Sequence, residues 1–460
     1  MRFRVAIASC LYRKEKDGGA GVCGKIASSQ MEKRITPAEA ILGVIQLPGD
    51  KSISHRYGIL SSIAEGTSVL HNYSKGADCH STLACMRALG IEIEVRDTDV
   101  TVHGKGLDGL QAPADTLDAG NSGSTIRMLS GVLAAQTFVT RIGGDESLSR
   151  RPMGRIMKPL GEMGARIQAR EDKFPPLEIH GGKLKAIEYA TPVASAQVKS
   201  CVLFAGLYAD GVTMVREPLT TRDHSEIALR EFGADVLAKG GSISIQGRPV
   251  LKGRELTVPG DLSSAAFFLV AALTSPNANL TIGNVGLNPT RSALIDFLCG
   301  AGGQIKIINV RQSGGELVGD LNVRHSKIQG GLIEKAWTAA LIDEIPVLAV
   351  LGALSEEGLT VRDAAELRVK ETDRIATMAE NFRRMGVKVD VFEDGFHVPG
   401  KQTLRGAEVD SFGDHRIAMA FAVAGLRADG ETTVREAEAA SVSFREFWDT
   451  LDFITGKSTL

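Results

Sequence analysis

The chain has 460 residues, 43% hydrophobic and 23% charged, a globular composition too long for one average core, so length alone predicts two to four domains. A formal net charge of −2 offers no global attraction to nucleic acid or an anionic membrane, and any anion recognition has to be local. No apolar run reaches the ~18–20 residues of a transmembrane helix. The six cysteines (Cys10, Cys23, Cys79, Cys85, Cys201, Cys299) lack CxxC or Cys/His ligand spacing, which argues against a disulfide framework or a metal site and for a reducing cytoplasm.

Residues 1–33 are basic, carry Gly18-Gly19-Ala20-Gly21 and lack the apolar core of a secretory signal; they are read as a dispensable arm, with Met31 opening a more regular stretch. An apolar segment at 41–47 then meets Pro48 and the octapeptide Gly49-Asp50-Lys51-Ser52-Ile53-Ser54-His55-Arg56. Asp50 or Ser52 is a candidate N-cap, and the first-turn N–H groups, Lys51 and Arg56 would converge on an anion there. The same layout, a polar or Gly-Asp opening followed by an apolar helical run, a small-residue break and a β-rich segment, recurs at Gly120-Asn121-Ser122, Ser195-Ala196-Gln197, Gly260-Asp261-Leu262, Ile342-Asp343-Glu344 and Gly413-Asp414-His415. Between the copies, helices are expected to end in a left-handed glycine at Gly90, Gly164, Gly233, Gly302 and Gly386, each followed by strand-like alternation.

Six such units predict an α/β (α+β) protein with sheets outside and helices inside. The first helix of each copy is apolar nearly all round, as in Ala265 to Leu273, and a helix without a polar face is buried. A boundary near Pro259-Gly260 gives one domain over 48–258 with three units, and a second built from 34–47 plus 259–460 with three more, leaving a cleft where ligands are favoured.

Charged and hydroxyl residues gather at the unit openings: Lys51, Ser52 and Arg56; Asn121-Ser122-Gly123 with Arg127; Arg150-Arg151; Ser195, Gln197 and Lys199; Arg222-Asp223-His224; Asp343-Glu344; Lys370-Glu371 with Arg374; Asp414-His415-Arg416. Cations repeated at helix N-termini in a chain of net charge −2 imply small, multiply anionic ligands, phosphates and carboxylates. Asp343 and Glu371 among them should be held ionised, as acceptors or bases, and Lys51 in a cationic pocket is expected to be shifted down and able to release a proton. His224 and His415 each follow an aspartate and are read as structural or supporting groups. The layout suits metal-free proton transfer on a phosphorylated substrate.

The phrases Leu47-Pro48-Gly49-Asp50-Lys51-Ser52-Ile53-Ser54-His55-Arg56, Gly120-Asn121-Ser122-Gly123 with Arg127, Arg151-Pro152-Met153, Asn288-Pro289-Thr290-Arg291, Leu367 to Arg374 and Gly413-Asp414-His415-Arg416 resemble the 3-phosphoshikimate 1-carboxyvinyltransferase (EPSP synthase) family from about residue 35 onward. The wording is closest to its second class. The resemblance implies a two-domain inverse α/β barrel of six βαβαββ units, acting as a monomer without a cofactor and closing over shikimate 3-phosphate and phosphoenolpyruvate. By matching positions it implies shikimate 3-phosphate contacts from Lys51, Ser52, Arg56, Ser195, Ala196, Gln197, Arg222, Asp343 and Lys370. Phosphoenolpyruvate would meet Lys51, Gly123, Arg151, Gln197, Arg374 and Arg416. Asp343 would take the proton of the attacking hydroxyl, and Glu371 or Lys51 would protonate the enol carbon.

The sequence departs from the family where many relatives carry a lysine in the last helix, here Ser441-Val442-Ser443-Phe444-Arg445. Gly123, where alanine often accompanies glyphosate tolerance, leaves room for that inhibitor. Two other readings stand beside this one: the sister enolpyruvyl transferase acting on UDP-N-acetylglucosamine, which usually has a reactive loop cysteine absent between Cys85 and Cys201, and a non-catalytic binder of phosphate ligands.

Overall fold

The six apolar runs form six helices, α1 (Lys51–Ser62), α2 (Gly123–Leu133), α3 (Ala196–Gly206), α4 (Leu262–Thr274), α5 (Ile345–Leu354) and α6 (His415–Gly425), in a computed structural model that describes residues 31–458. Five of them start on a side-chain cap: Asp50 accepts from Ile53 N, Ser122 from Thr125 N, Ser195 from Val198 N, Asp261 from Ser263 N and Asp414 from Arg416 N. The sixth, α5, follows Glu344 and has Pro346 in its first turn, where a missing N–H costs nothing. Leu262 to Leu273 of α4 and Ile345 to Ala353 of α5 are buried on every side, so these helices owe their stability to packing and not to an amphipathic face. Phe268 of α4 lies against Phe444 and Phe447 with ring centroids 5.9 and 5.7 Å away; truncating it to alanine would cost about 3–5 kcal/mol.

Buried apolar side chains fall into two clusters. One spans Ile53 to Val258; the other joins Ile35, Ala38, Ile41, Ile45 and Leu47 to Leu262 and onward to Ile454. The chain passes between them twice, side by side: Asp50 N donates to Pro259 O (2.7 Å), Asp261 N to Pro48 O (3.1 Å), and Gly49 bridges Gly260 antiparallel. A Cβ on Gly49 would sit 1.9 Å from Asn72 O, so only glycine fits this crossing.

Each unit lays down an outer sheet. In the second, Leu117–Asp118 pairs parallel with Val139–Gly143, which pairs antiparallel with Phe174–His180 and that with Arg166–Arg170. The third and fifth units repeat this order. The first and fourth borrow their outermost strand across the crossings: Glu255–Thr257 pairs with Glu65–His71, and Leu42–Gln46 with Asn279–Gly286. The sixth has no hairpin of its own; Lys33–Ile35 supplies the antiparallel neighbour of Thr432–Arg435. Gly90, Gly164, Gly233, Gly302 and Gly386 all have positive φ, between 73° and 112°.

Of the arm expected over 1–33, residues 1–30 lie outside the described residues. Positions 31–33 are part of the fold, because Ala437 N donates to Met31 O (2.8 Å) and Lys33 pairs with Asp452 (2.8 Å). No single described helix is long and apolar enough to cross a membrane.

Candidate active site

The starts of the inner helices of both halves face one seam. From the first half come Lys51, Arg127, Arg151 and Arg222; from the second come Asp343, Lys370, Glu371, Arg374 and Arg416. Among the ion pairs that cross it are Arg222 Nη2 to Asp343 Oδ2 at 2.7 Å and Arg151 Nη1 to Glu371 Oε1 at 3.5 Å.

Asp343 precedes α5 and is ringed by cations: besides Arg222, Lys370 Nζ lies 3.7 Å and Arg374 Nη1 3.9 Å away, and Arg416 Nη1 donates to its backbone oxygen at 2.7 Å. Burial alone would raise its pKa, but Arg416, Lys370, Arg222 and Arg374 outweigh it and hold the carboxyl well below the usual range. Glu371 is governed the same way: burial is overridden by Arg374, 2.6 Å away, then by the Arg151 and Lys370 charges. Both acids are therefore ionised acceptors in this structure.

Arg374, 1% exposed, bonds Asp414 through Nε (2.8 Å) and Glu371 through Nη2, while its Nη1 has no hydrogen-bond partner; Arg151 Nε is likewise buried and unpartnered among the described residues. Asp414 also caps α6, so the aspartate that starts the helix fixes the arginine beside it. Arg151 is steadied by Asn121 Oδ1 (2.6 Å) and Ser147 Oγ (3.1 Å). Arg127 Nη1 donates to Gln197 Oε1 (2.7 Å), and Gln197 Nε2 to Ser124 Oγ (2.9 Å); burial, then the Arg151 and Arg155 charges, lower the Arg127 pKa to about 10. Donors left short of acceptors and a surplus of cations in a closed seam are what an anionic ligand requires.

Lys51 differs from its sequence reading. Its ammonium lies 3.0 Å from Asp78 Oδ2, on the outer helix Ala77–Ala88. Burial and the Arg416 charge pull its pKa down, yet Asp78 and Glu371 prevail and the net shift is upward, so Lys51 rests as a protonated amine and not as the neutral one expected. Asp78 had no signal in the sequence; it sits in the first turn of a different helix, brought to Lys51 by the fold.

Arg56 also differs. Its Nε donates to Ser225 Oγ (2.7 Å), Nη2 to Ser200 Oγ (2.8 Å) and Nη1 to Ser52 O (2.7 Å), so each of its three nitrogens already has a partner within the first half. Ser52, Ser195 and Ala196 are partly exposed at the starts of α1 and α3, with Ser195 Oγ spent on its cap. Gly123 opens α2, and a Cβ there would meet Arg127 Nη1 at 2.8 Å and Arg151 Nη1 at 3.5 Å. His415 is buried, and burial followed by the Lys51 and Arg416 charges keeps it neutral; His224 Nδ1 bonds Glu316 Oε1 at 2.7 Å across the seam. Lys199 is fully buried between Glu217 (2.9 Å) and Glu226 (2.8 Å), away from any ligand. Glu92, Glu94 and His103 bring ligand atoms close enough to share an ion, but they lie on the first unit's outer sheet.

Residues 35–451 match the family described as EPSP synthase (3-phosphoshikimate 1-carboxyvinyltransferase). The chain belongs to that family. A 3-phosphoshikimate 1-carboxyvinyltransferase of Solibacter usitatus is 68% identical over 424 residues, covering 92% of this chain and all of that one. Its counterpart in Koribacter versatilis is 52% identical over 420 residues, 91% of this chain and 98% of the other. Among solved structures, EPSP synthase from Acinetobacter baumannii superposes with a TM-score of 0.82 at 43% identity, covering 92% and 98%. The enolpyruvyl transferase NikO from Streptomyces tendae, 18% identical with a TM-score of 0.75 over 92% and 96%, shares the fold. The two-domain inverse α/β architecture of the family is thus the architecture of this chain.

Proposed function

We propose that the protein transfers the enolpyruvyl group of phosphoenolpyruvate to the 5-hydroxyl of shikimate 3-phosphate, releasing phosphate, with the two halves acting as domains that close on the substrates. The observation that carries this reading is the Asp343 carboxylate ringed by cations of both halves, Arg222 at 2.7 Å, Lys370 at 3.7 Å and Arg374 at 3.9 Å. Asp343 accepts the 5-hydroxyl proton as the oxygen bonds to C2 of phosphoenolpyruvate, and Lys51 delivers a proton to C3, giving a tetrahedral ketal. Lys51 takes the donor role because it carries its proton whereas Glu371 is held ionised; Glu371 instead orients Arg374 and Arg151. In the second step C3 returns a proton to Lys51 while the C2–O bond to phosphate breaks; the departing phosphate takes up the proton held by Asp343, and its remaining charge is held by Arg151, Arg374 and Arg416. The phosphate of shikimate 3-phosphate falls to Ser195, Ala196, Gln197, Arg222 and Lys370, with Ser52 beside Lys51.

The same reading makes the protein a cytoplasmic monomer whose partners are these two small molecules. Phosphate release coupled to a colorimetric readout, run with phosphoenolpyruvate and either shikimate 3-phosphate or UDP-N-acetylglucosamine, tests it. Turnover with the shikimate only is expected; turnover with the nucleotide sugar, or with neither, refutes the assignment.

A further inference from the structure

No step above uses the motif Asn288-Pro289-Thr290-Arg291, yet Asn288 and Arg291 lie buried in the seam. Asn288 Nδ2 donates to Asp223 Oδ1 (2.7 Å) and Glu316 Oε2 (2.9 Å), and Thr290 Oγ1 donates to the same Asp223 oxygen (3.1 Å). Asp223 follows Arg222, the first-half partner of Asp343. On the other side, Arg291, 6% exposed, donates through Nη2 to Ser263 Oγ and stands between two buried carboxylates, Glu344 (3.6 Å) and Asp261 (3.9 Å).

Each of those carboxylates leads to a reacting group. Asp261 Oδ2 accepts the backbone N–H of Lys51 at 3.3 Å, fixing the start of α1, and Glu344 is the residue after Asp343 at the start of α5. We infer that Arg291 is a positioning residue, the shared counterion that sets Lys51 and Asp343 at a fixed separation across the seam. It has a second effect through Arg416. That arginine lies 3.9 Å from Glu344, and with Arg291 gone it becomes the nearest counterion of a buried carboxylate and is drawn off the leaving phosphate. The inference rests on the proposed reaction.

The test is steady-state kinetics of Arg291→Gln and Arg291→Lys beside wild type, with folding checked by circular dichroism. Arg291→Gln is expected to lower kcat at least tenfold and raise KM for phosphoenolpyruvate at least fivefold, with KM for shikimate 3-phosphate within threefold. Arg291→Lys keeps a charge between the carboxylates but loses the fork; KM for phosphoenolpyruvate should return to within threefold while kcat stays three- to tenfold low. If the glutamine variant does not fold, the lysine variant decides by the same kcat criterion. A folded variant within twofold of wild type in kcat, or one that weakens both substrates equally, overturns the inference. A wild-type protein without turnover instead overturns the proposed reaction.

Discussion

Arg222 of the first half donates a 2.7 Å hydrogen bond to Asp343 of the second, joining the halves at the carboxylate assigned as the base. Both side chains are about one-fifth exposed, at 21% and 19%, so the pair is partly desolvated and worth more than a surface ion pair.

Gly123 lacks a side chain where two arginines pass. A methyl there presses on Arg127 Nη1 at 2.8 Å, and that nitrogen cannot swing freely because it is bonded to Gln197. Gly123→Ala is expected to weaken inhibition by glyphosate at least tenfold, since an inhibitor filling the space over Gly123 loses it outright, and to raise KM for phosphoenolpyruvate a few-fold. An inhibition constant equal to wild type contradicts the steric account.

Acid destabilisation should begin well above the carboxylate range. Burial, reinforced by Lys51 and Arg56, drops the His55 pKa from 6.5 to about 3, and burial also holds His415 well below 6.5. Between those values the unfolded chain binds protons that the native state refuses, so stability falls as pH drops below 6.5, by roughly 1.4 kcal/mol per pH unit for each fully buried histidine. Asp343 and Glu371 contribute to the slope only in the lower part of this range: their depressed native values give stability that is complete well above the unfolded pKa near 4 and lost as pH falls below it. Urea midpoints at pH 6.5 and 4.5 check this, and His55→Asn should flatten the slope. An unchanged slope would remove His55 as its source.

The first described residues are structural. A chain begun at Met31 keeps the strand Lys33–Ile35 and should match the full chain in melting temperature and kcat. One begun at Pro37 loses that strand's pairing to Thr432–Arg435 and the buried Ile35 side chain, and is expected to be less stable by about 2–5 kcal/mol, comparable to deleting a large core side chain. Equal thermal stability of the two truncations would contradict the pairing.

The sequence made the helix starts readable because each combines a capping side chain with an apolar run, both local signals: Asp50, Ser122, Ser195, Asp261 and Asp414 cap the helices whose openings suggested a repeat. The left-handed glycines were readable for the same reason, since φ is a property of the residue itself. Partners distant in sequence were not. Lys51 read as a cation among cations because Asp78 arrives on another helix, and that acid reverses the direction of its pKa shift. Arg56 read as part of the same anion site, and its hydrogen bonds to Ser200 and Ser225 were not legible because those serines lie far along the chain. Arg291 sat in a quoted motif without a role, because its two carboxylates come from two other helix starts.

Asp343→Asn puts the central claim to the most direct test. The amide keeps the shape and can still face Arg222, but it cannot take a proton, so shikimate 3-phosphate binding by calorimetry should stay within about tenfold of wild type while phosphate release falls by roughly 10²–10⁴-fold. Near-normal turnover in a variant that binds normally would show that the hydroxyl proton leaves by another route, and Asp343 would lose the role assigned to it.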